Sequence, residues 1–405
     1  MYGLLGEHLA HSFSPQIHAR LGGYEYRLFE VAPQDLAAFL AAREFQGINV
    51  TIPYKKAVLP YLAALSDSAR RIGAVNTIVK RADGSLYGDN TDYDGFLYMV
   101  RRSGTAVAGK KAVVLGTGGA SEPVAAVLSD LGAREVVKIS RTGENNYQNL
   151  ARHFDAGLLV NTTPVGMYPQ NGRAPLSLAG FGALTAVFDV IYNPHRTALT
   201  LDAERRGIPA FTGLSMLVAQ AKRAAELFLG RDIPDARVET ILKALLRETQ
   251  NVVLVGMPGC GKTTVGRAVA AALSRPFFDA DEALEQDAGK TIPDIFRQEG
   301  EAGFRARETE VLRALCRQSG AVVATGGGAV TVPENFDILR QNSRVFFLNR
   351  DAKVLPTDGR PVSQRDGVQA LYEKRLPLYR AVCDREVDAN GSVEAVAARI
   401  LEALG

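Results

Sequence analysis

The chain has 405 residues, of which 46% are hydrophobic and 22% charged, and its formal net charge is only +3, from 47 basic and 44 acidic residues. A balance that close to neutral argues against a nucleic-acid or membrane-surface partner, and no uninterrupted apolar run approaches the roughly 18 residues that a membrane span needs. Three scattered cysteines, Cys260, Cys316 and Cys383, and an opening MYGLLGEHLAHS without a secretory leader pattern lead us to expect a reducing cytoplasm and no disulfide framework, in about two or three domains.

Over the first hundred residues, short apolar runs (YGLLG, GINVTI, AVNTIV) alternate with helical stretches such as DLAAFLAAREF. Polar clusters interrupt them. In HSFSP, Ser12 and Ser14 are two apart, so an extended backbone would point both hydroxyls one way. In NVTIPYKK, Thr51 and Lys55 would share a side on the same condition, while GAVNT contributes Asn76 and GDNTD contributes Asp92. Each of these residues alone is more often a turn former or a cap. As a set, hydroxyls, an amide, a lysine and a carboxylate suit recognition of a small polyhydroxylated acid.

From Lys110 the pattern changes to strand, glycine turn, helix and strand: KAVVLG, GGASEPVAAVLSDLG, EVVKIS. This is a βαβ unit, the setting in which a glycine fingerprint binds a dinucleotide. Its loop, Gly116-Thr117-Gly118-Gly119-Ala120, can turn backbone N–H groups and a helix N-terminus toward a pyrophosphate. A plain tight turn would use the same residues. The end of the next strand reads Ser140-Arg141-Thr142 where an NAD-preferring unit usually carries an acid. A guanidinium with two hydroxyls suits a 2′-phosphate, hence NADP(H). Strands are expected at GLLVNT, AVFDVI and PAFTG, then two helices over 215–230 and 238–248.

A second α/β pattern begins at Asn251 with no Gly/Ser/Pro linker between Arg247 and Asn251, so the two halves are expected to touch or to be closely tethered. Strand VVLV, loop GMPGCGKT and helix TVGRAVAAALS form a complete phosphate loop. Gly259, Cys260, Gly261, Lys262, Thr263 and Thr264 would face ATP, with Lys262 on the β/γ oxygens and the Thr263 hydroxyl on Mg²⁺. In FFDADE, Asp279 and Asp281 are two apart and can project to one side of a strand end. One carboxylate can organise Mg²⁺ through water while the other orients a substrate hydroxyl; a solvated turn is the bland alternative.

The ordered series HSxSP, NVTxPxK, GAVNT, GxNTD, GxGGA, SRT, NTTPxGM and GLxMLxxQA resembles shikimate dehydrogenase from Met1 to about Arg247. The resemblance implies a catalytic pair, Lys55 and Asp92, acting on the ketone of 3-dehydroshikimate. It implies substrate contacts from Ser12, Ser14, Thr51, Asn76, Asp92, Tyr192 and Gln220, and cofactor-side contacts from Asp67, Thr162, Val190 and Gly213. The implied fold is a split α/β substrate domain over 1–97, completed by helices 211–247, with a Rossmann NADP-binding domain over 98–210.

From Asn251 onward GxxGxGKT, DxD, GEAGFRARE, ATGGGAV, GRP and RLPLYR resemble shikimate kinase, which implies a P-loop α/β domain over 248–405. By that resemblance Asp281 binds the acceptor hydroxyl and is the catalytic base. Lys262 neutralises the transferring phosphate, Asp279 serves the metal, and Arg305 and Arg375 clamp the substrate carboxylate. Gly326, Gly327 and Gly328 would let backbone approach the ring, and Arg360 would come from a lid over ATP. The lid segment NRDAKVLPTDGRPVS is more compact than the family's and carries Val362 in place of Leu.

Together the halves imply one enzyme with two consecutive reactions. NADPH-dependent reduction of 3-dehydroshikimate would give shikimate, which the second half would phosphorylate at its 3-hydroxyl with MgATP. The expected partners are these small molecules, with no nucleic acid and no membrane; homo-oligomerisation is left open. The rivals are a quinate- or NAD-using dehydrogenase fused to a weak kinase, and a non-catalytic metabolite sensor. A sensor should have lost its reactive groups, yet Lys55, Asp92, Lys262, Thr263 and Asp281 are all in place.

Overall fold

The computed structural model describes residues 1–9, 12–355 and 367–404. They form two compact units, Met1–Tyr192 with Leu199–Lys243, and Asn193–Ala198 with Ala244–Gly405. The division falls inside a continuous helix, Ala236–Thr249.

The first unit contains two sheets. The N-terminal one has six strands: β1 (Tyr2–Gly6), β2 (Tyr26–Glu30), β3 (Gly47–Val50), β4 (Ala64–Leu65), β5 (Thr77–Lys80) and β6 (Leu86–Asp89). They lie in the order β2-β1-β3-β5-β6-β4. β1 runs parallel to β2 and β3, whereas β5 is antiparallel to both β3 and β6. The second sheet orders β11 (Ala210–Thr212), β10 (Ala186–Asp189), β9 (Leu158–Asn161), β7 (Lys111–Leu115) and β8 (Glu135–Ile139), all parallel. β7 is buried along its whole length, as a strand covered by helices on both faces must be. Each fully buried Val or Leu side chain contributes about 1.5–3 kcal/mol relative to exposure.

Helices Thr91–Ser103 and Leu214–Leu229 pack closely, and Gly95 makes that approach feasible. A Cβ at Gly95 would stand 2.6 Å from the Met216 carbonyl oxygen and 2.9 Å from Cβ of Gln220. The contact brings Gln220 beside the first turn of the other helix, where Asp92 sits.

The second unit is built on one parallel sheet. β12 (Asn251–Val255), β13 (Phe277–Asp279), β14 (Val322–Ala324), β15 (Ser343–Asn349) and β16 (Arg385–Asp388) lie in the order β13-β14-β12-β15-β16. β12 is fully buried and leads through the phosphate loop into helix Lys262–Leu273. Asn251, the first residue of β12, is fastened through its side chain. Its side-chain amide donates to the carbonyls of Cys316 and Gln318 at 3.2 and 2.7 Å, and its Oδ1 accepts from the Ala321 N–H at 2.9 Å. The run Ile292–Cys316 is broken at Gly300, whose φ of 70° and ψ of −177° are non-helical, so two helices meet there at an angle. Among the described residues no helix is long and apolar enough to cross a membrane.

Candidate active sites

In the first unit a cavity of about 260 Å³ opens between the two sheets, and it gathers Ser12, Ser14, Thr51, Lys55, Asn76, Asp92, Ala120, Val190, Tyr192, Gly213 and Gln220. The Lys55 ammonium donates to Asp92 Oδ2 at 2.6 Å. Asp92 lies in the first turn of helix Thr91–Ser103, where the helix dipole favours a carboxylate. Lys55 is anchored from behind: its carbonyl accepts the Val75 N–H at 2.8 Å. Asn76 Oδ1 accepts the Thr91 N–H at 2.7 Å, fixing the amide beside that helix start. Burial raises the Tyr192 phenol, so it stays protonated and able to donate.

Two local expectations are corrected. Neither the serine pair nor the Thr51–Lys55 segment is extended. Phe13 is in the right-handed helical region, Ser14 opens helix Ser14–Gly22, and the Ser14 N–H donates to Ser12 Oγ at 3.2 Å. Residues after Thr51 form consecutive turns, with the Tyr54 N–H donating to the Thr51 carbonyl at 2.9 Å. This run of turns, rather than the alternation of a strand, brings Thr51 and Lys55 to the same cavity.

The dinucleotide loop adjoins this pair. Gly116 has φ of 103°, and a Cβ there would meet Thr162 Oγ1 and Thr163 Cγ2 at 3.0 Å each. A Cβ on Gly118 would meet nothing within 4 Å, so open space faces the start of helix Ser121–Asp130. Lys55 Cδ lies 3.7 Å from the Cβ position of Gly119. That cradle fits the pyrophosphate of NADP(H): Gly116, Thr117, Gly118, Gly119 and Ala120 would hold it, and Arg141 and Thr142, both exposed, would be the groups to meet a 2′-phosphate. Ser140 Oγ is already engaged, accepting the Gly143 N–H at 2.7 Å and so shaping the turn. Thr162 donates to the Leu115 carbonyl at 2.6 Å. Gly213 is required where it stands, since a Cβ would sit 2.0 Å from the Val190 carbonyl oxygen. Asp67 is not among the cavity residues: it is fully exposed on helix Asp67–Ile72 and pairs with Arg70 at 3.0 Å.

In the second unit a cavity of about 570 Å³ joins the phosphate loop to the acceptor side. It is lined by Gly259, Gly261, Lys262, Thr263, Thr264, Asp279, Asp281, Arg305, Gly326, Gly327, Gly328 and Arg375. Gly256, Gly259 and Gly261 have φ of 151°, 79° and 99°, the conformations that turn loop N–H groups inward. Lys262 Nζ donates to the carbonyls of Gly256 and Met257 at 2.9 and 3.0 Å, and buried Cys260 Sγ stands 3.9 Å away. The Thr263 hydroxyl donates to Asp279 Oδ2 at 2.6 Å, a hydroxyl–carboxylate pair of the oxygen chemistry that would suit Mg²⁺.

Asp279 and Asp281 do not both project from a strand. Asp279 ends β13 and caps helix Ala280–Ala288, accepting the Asp281 N–H at 3.0 Å. Asp281 is thereby set in the helix's first turn. Burial raises its pKa to about 6 against the opposing pull of Lys262, with Asp279 and Glu308 raising it further. Arg305 Nη1 donates to Glu308 Oε2 at 2.6 Å and packs over the Phe304 ring at 5.0 Å. Buried Arg375 donates to the Gly327 carbonyl at 3.1 Å. The glycine triplet makes room for protein groups: a Cβ at Gly326 would meet Glu308 Oε1 at 2.5 Å, and one at Gly327 would meet Pro258 Cδ at 2.5 Å. Arg360, expected on a lid, lies outside the described residues.

Sequence reasoning missed Asn49, which lines the first cavity, and Glu308, which lines the second. Both stand inside quoted motifs, NVTIPYKK and GEAGFRARE. An inward-facing amide on β3 and a carboxylate one turn beyond Arg305 were the available signals.

The shikimate kinase family model matches residues 258–405, and the model of the shikimate dehydrogenase substrate binding domain matches residues 4–78. The shikimate dehydrogenase (NADP(+)) of Moorella thermoacetica is 39% identical over 273 residues, spanning 60% of this chain and 92% of that protein. That of Thermosynechococcus vestitus is 36% identical over 274 residues, spanning 61% and 96%. A crystal structure of shikimate 5-dehydrogenase from Thermus thermophilus, in complex with NADP(H) and shikimate, aligns with a TM-score of 0.55 at 33% identity. The alignment covers 60% of this chain and 98% of that one. A chorismate mutase/shikimate 5-dehydrogenase fusion protein from Clostridium acetobutylicum aligns with a TM-score of 0.58 at 35% identity, covering 60% and 96%. The chain therefore belongs to the shikimate dehydrogenase family, and it carries a shikimate kinase domain at its C-terminus.

Proposed function

We propose that this bifunctional shikimate-pathway enzyme reduces 3-dehydroshikimate to shikimate in its first unit and converts shikimate to shikimate 3-phosphate in its second. The observation that carries the proposal is the Lys55–Asp92 contact of 2.6 Å, set in a polar cavity beside the dinucleotide loop. NADPH supplies the hydride to the first cavity and MgATP the phosphoryl group to the second.

As the ketone carbon becomes C–H, its oxygen gains a full negative charge unless a proton arrives with it. Lys55 Nζ holds that proton and delivers it, and Asp92 keeps the ammonium oriented. Water restores the proton to Lys55. Ser12, Ser14, Thr51, Asn76, Tyr192 and Gln220 supply hydroxyl, amide and phenol groups for the ring's oxygens.

In the second cavity Asp281 accepts the proton of the substrate's 3-hydroxyl. A carboxylate whose pKa is raised toward neutrality is a stronger base than an ordinary one and is still largely ionised at pH 7. Arg305 and Arg375 clamp the substrate carboxylate, Lys262 neutralises the transferring group, and Thr263 with Asp279 would hold Mg²⁺, which would screen the phosphate charge. Shikimate links the two reactions. A cytoplasmic location fits the scattered cysteines.

A single coupled assay tests the whole reading. Full-length protein given 3-dehydroshikimate, NADPH and MgATP should accumulate shikimate 3-phosphate, detected by mass. Folded protein that consumes neither nucleotide would sink it.

A further inference from the structure

The turn that follows β8 is braced from within by two asparagines. Asn146 Nδ2 donates to the Gly143 carbonyl at 2.9 Å, and its Oδ1 accepts the N–H groups of Gln148 and Asn149 at 2.9 and 3.3 Å. Asn149 Nδ2 donates to the Glu144 carbonyl at 2.7 Å, and its Oδ1 accepts the Asn146 N–H at 2.9 Å. Every one of these partners is backbone. A peptide N–H only donates and a peptide carbonyl only accepts, so the sense of both amides is settled. The two side chains therefore tie Gly143 and Glu144 to the segment 146–149.

The base of the turn is fastened as well. The Ser140 N–H donates to the Asn145 carbonyl at 3.1 Å, and the Gly143 N–H donates to Ser140 Oγ at 2.7 Å. Asn145 Oδ1 pairs with Nε2 of His153 at 3.0 Å, and that buried ring anchors the turn to the short helix Leu150–His153. Between these ties stand Arg141 and Thr142, both exposed. Among the described residues no ion pair holds the Arg141 guanidinium, so the backbone of the turn decides where it stands.

We infer that Asn146 and Asn149 are positioning residues for NADP(H): their brace holds the turn after β8 in the shape that presents Arg141 to the 2′-phosphate. The inference rests on the assignment of Arg141 to that phosphate. A loop ordered before the ligand arrives loses less freedom on binding, and the saving appears as affinity. A cofactor without the 2′-phosphate makes no contact that draws on it, so the brace acts on the choice between NADPH and NADH.

The test uses Asn149→Ala and Arg141→Ala, singly and together, in the full-length protein, with the kinase reaction as a check on folding. NADPH binding is titrated by its fluorescence, and kcat/KM is measured with NADPH and with NADH. Asn149→Ala should weaken NADPH binding about three- to tenfold, the scale of ordering one long side chain, and lower the NADPH-to-NADH ratio of kcat/KM by the same factor. Asn146→Ala should reproduce this, because the two amides close the same turn. Beside Arg141→Ala, Asn149→Ala should cost nothing further. If Arg141→Ala leaves NADPH binding unchanged, the phosphate role of Arg141 fails and the inference fails with it. If Arg141→Ala weakens NADPH and Asn149→Ala does not, the inference alone is overturned. An unchanged cofactor ratio in Asn149→Ala, or an effect that persists undiminished without Arg141, overturns it too, since each means that the brace supports the fold at large and not the guanidinium.

Discussion

Gly328 and Arg305 exclude one another's alternatives: a Cβ on Gly328 would lie 2.2 Å from Arg305 Nη2 and 2.5 Å from Cζ. The guanidinium is also tied to Glu308 and packed over Phe304. It therefore cannot step aside without giving up a charge-assisted hydrogen bond in a cavity only partly open to water.

Gly328→Ala should accordingly act as a displaced-arginine variant. Losing the carboxylate clamp removes about 2 kcal/mol of binding, or about thirtyfold in the KM for shikimate in the kinase reaction. The dehydrogenase reaction of the same chain should be unaffected and serves as an internal control. Steady-state kinetics of both reactions check it; an unaltered kinase KM would show that the room at Gly328 is not needed.

The pKa of Asp281, raised to about 6 by burial, gives the kinase a pH signature. As base, the carboxylate must be ionised, so kcat/KM should fall about tenfold per unit as pH drops below about 6. Stability should move the other way. The folded-state pKa lies above the unfolded value of 3.8, so the folded protein binds this proton more tightly, and the site's contribution grows as pH falls from about 6 to about 4. At pH 7 the ionised form costs about 2–3 kcal/mol, which Asp281→Asn should recover while abolishing phosphorylation. Chemical denaturation of the two proteins at pH 7 and pH 4 is the measurement. A stability difference independent of pH would refute the assignment of burial as the cause.

Motif spacing made the loops legible, because glycines and lysines that cradle phosphates need local geometry that one stretch of chain supplies. Gly116 with φ of 103° and Gly261 with φ of 99° sit where the GTGGA and GMPGCGKT runs place them. Side-chain direction was not legible where the backbone departed from the assumed regular state. Ser14 opens a helix and Asp281 lies in a helix's first turn, so strand alternation was the wrong rule for both, although both reach their cavities. Asn49 and Glu308 stayed hidden for a different reason. An amide in a strand and a glutamate in a helix are ordinary until β3 pairs with β5 and Arg305 turns onto Glu308. Asp67, carried over by resemblance alone, is exposed and paired with Arg70.

Arg141 is exposed two residues beyond the end of β8, where a ligand phosphate would give the guanidinium a bidentate partner. Arg141→Ala should raise the KM for NADPH by about tenfold or more while leaving any activity with NADH at its original level. The ratio of kcat/KM for the two cofactors, before and after substitution, is the relevant quantity. Equal losses with both would move Arg141 from 2′-phosphate recognition to general support of the loop.

Lys55 carries the sharpest demand on the dehydrogenase. Its side chain is 20% exposed and that of its partner Asp92 12%, so the pair is neither fully solvated nor sealed. Removing the amine takes away the proton that must reach the nascent alkoxide, and general-acid loss of this kind lowers turnover by about 10²- to 10⁴-fold. Lys55→Ala should therefore reduce kcat on that scale, while the kinase reaction of the same protein proceeds at its usual rate. Lys55→Arg should not restore turnover. A guanidinium keeps the charge but releases its proton far too reluctantly. Asp92→Asn separates the two roles of the pair, since it leaves the amine and removes only the anion that orients it. It should lower kcat less than Lys55→Ala. If Lys55→Arg instead approaches wild-type turnover, charge alone suffices at this position, and proton delivery from residue 55 is excluded.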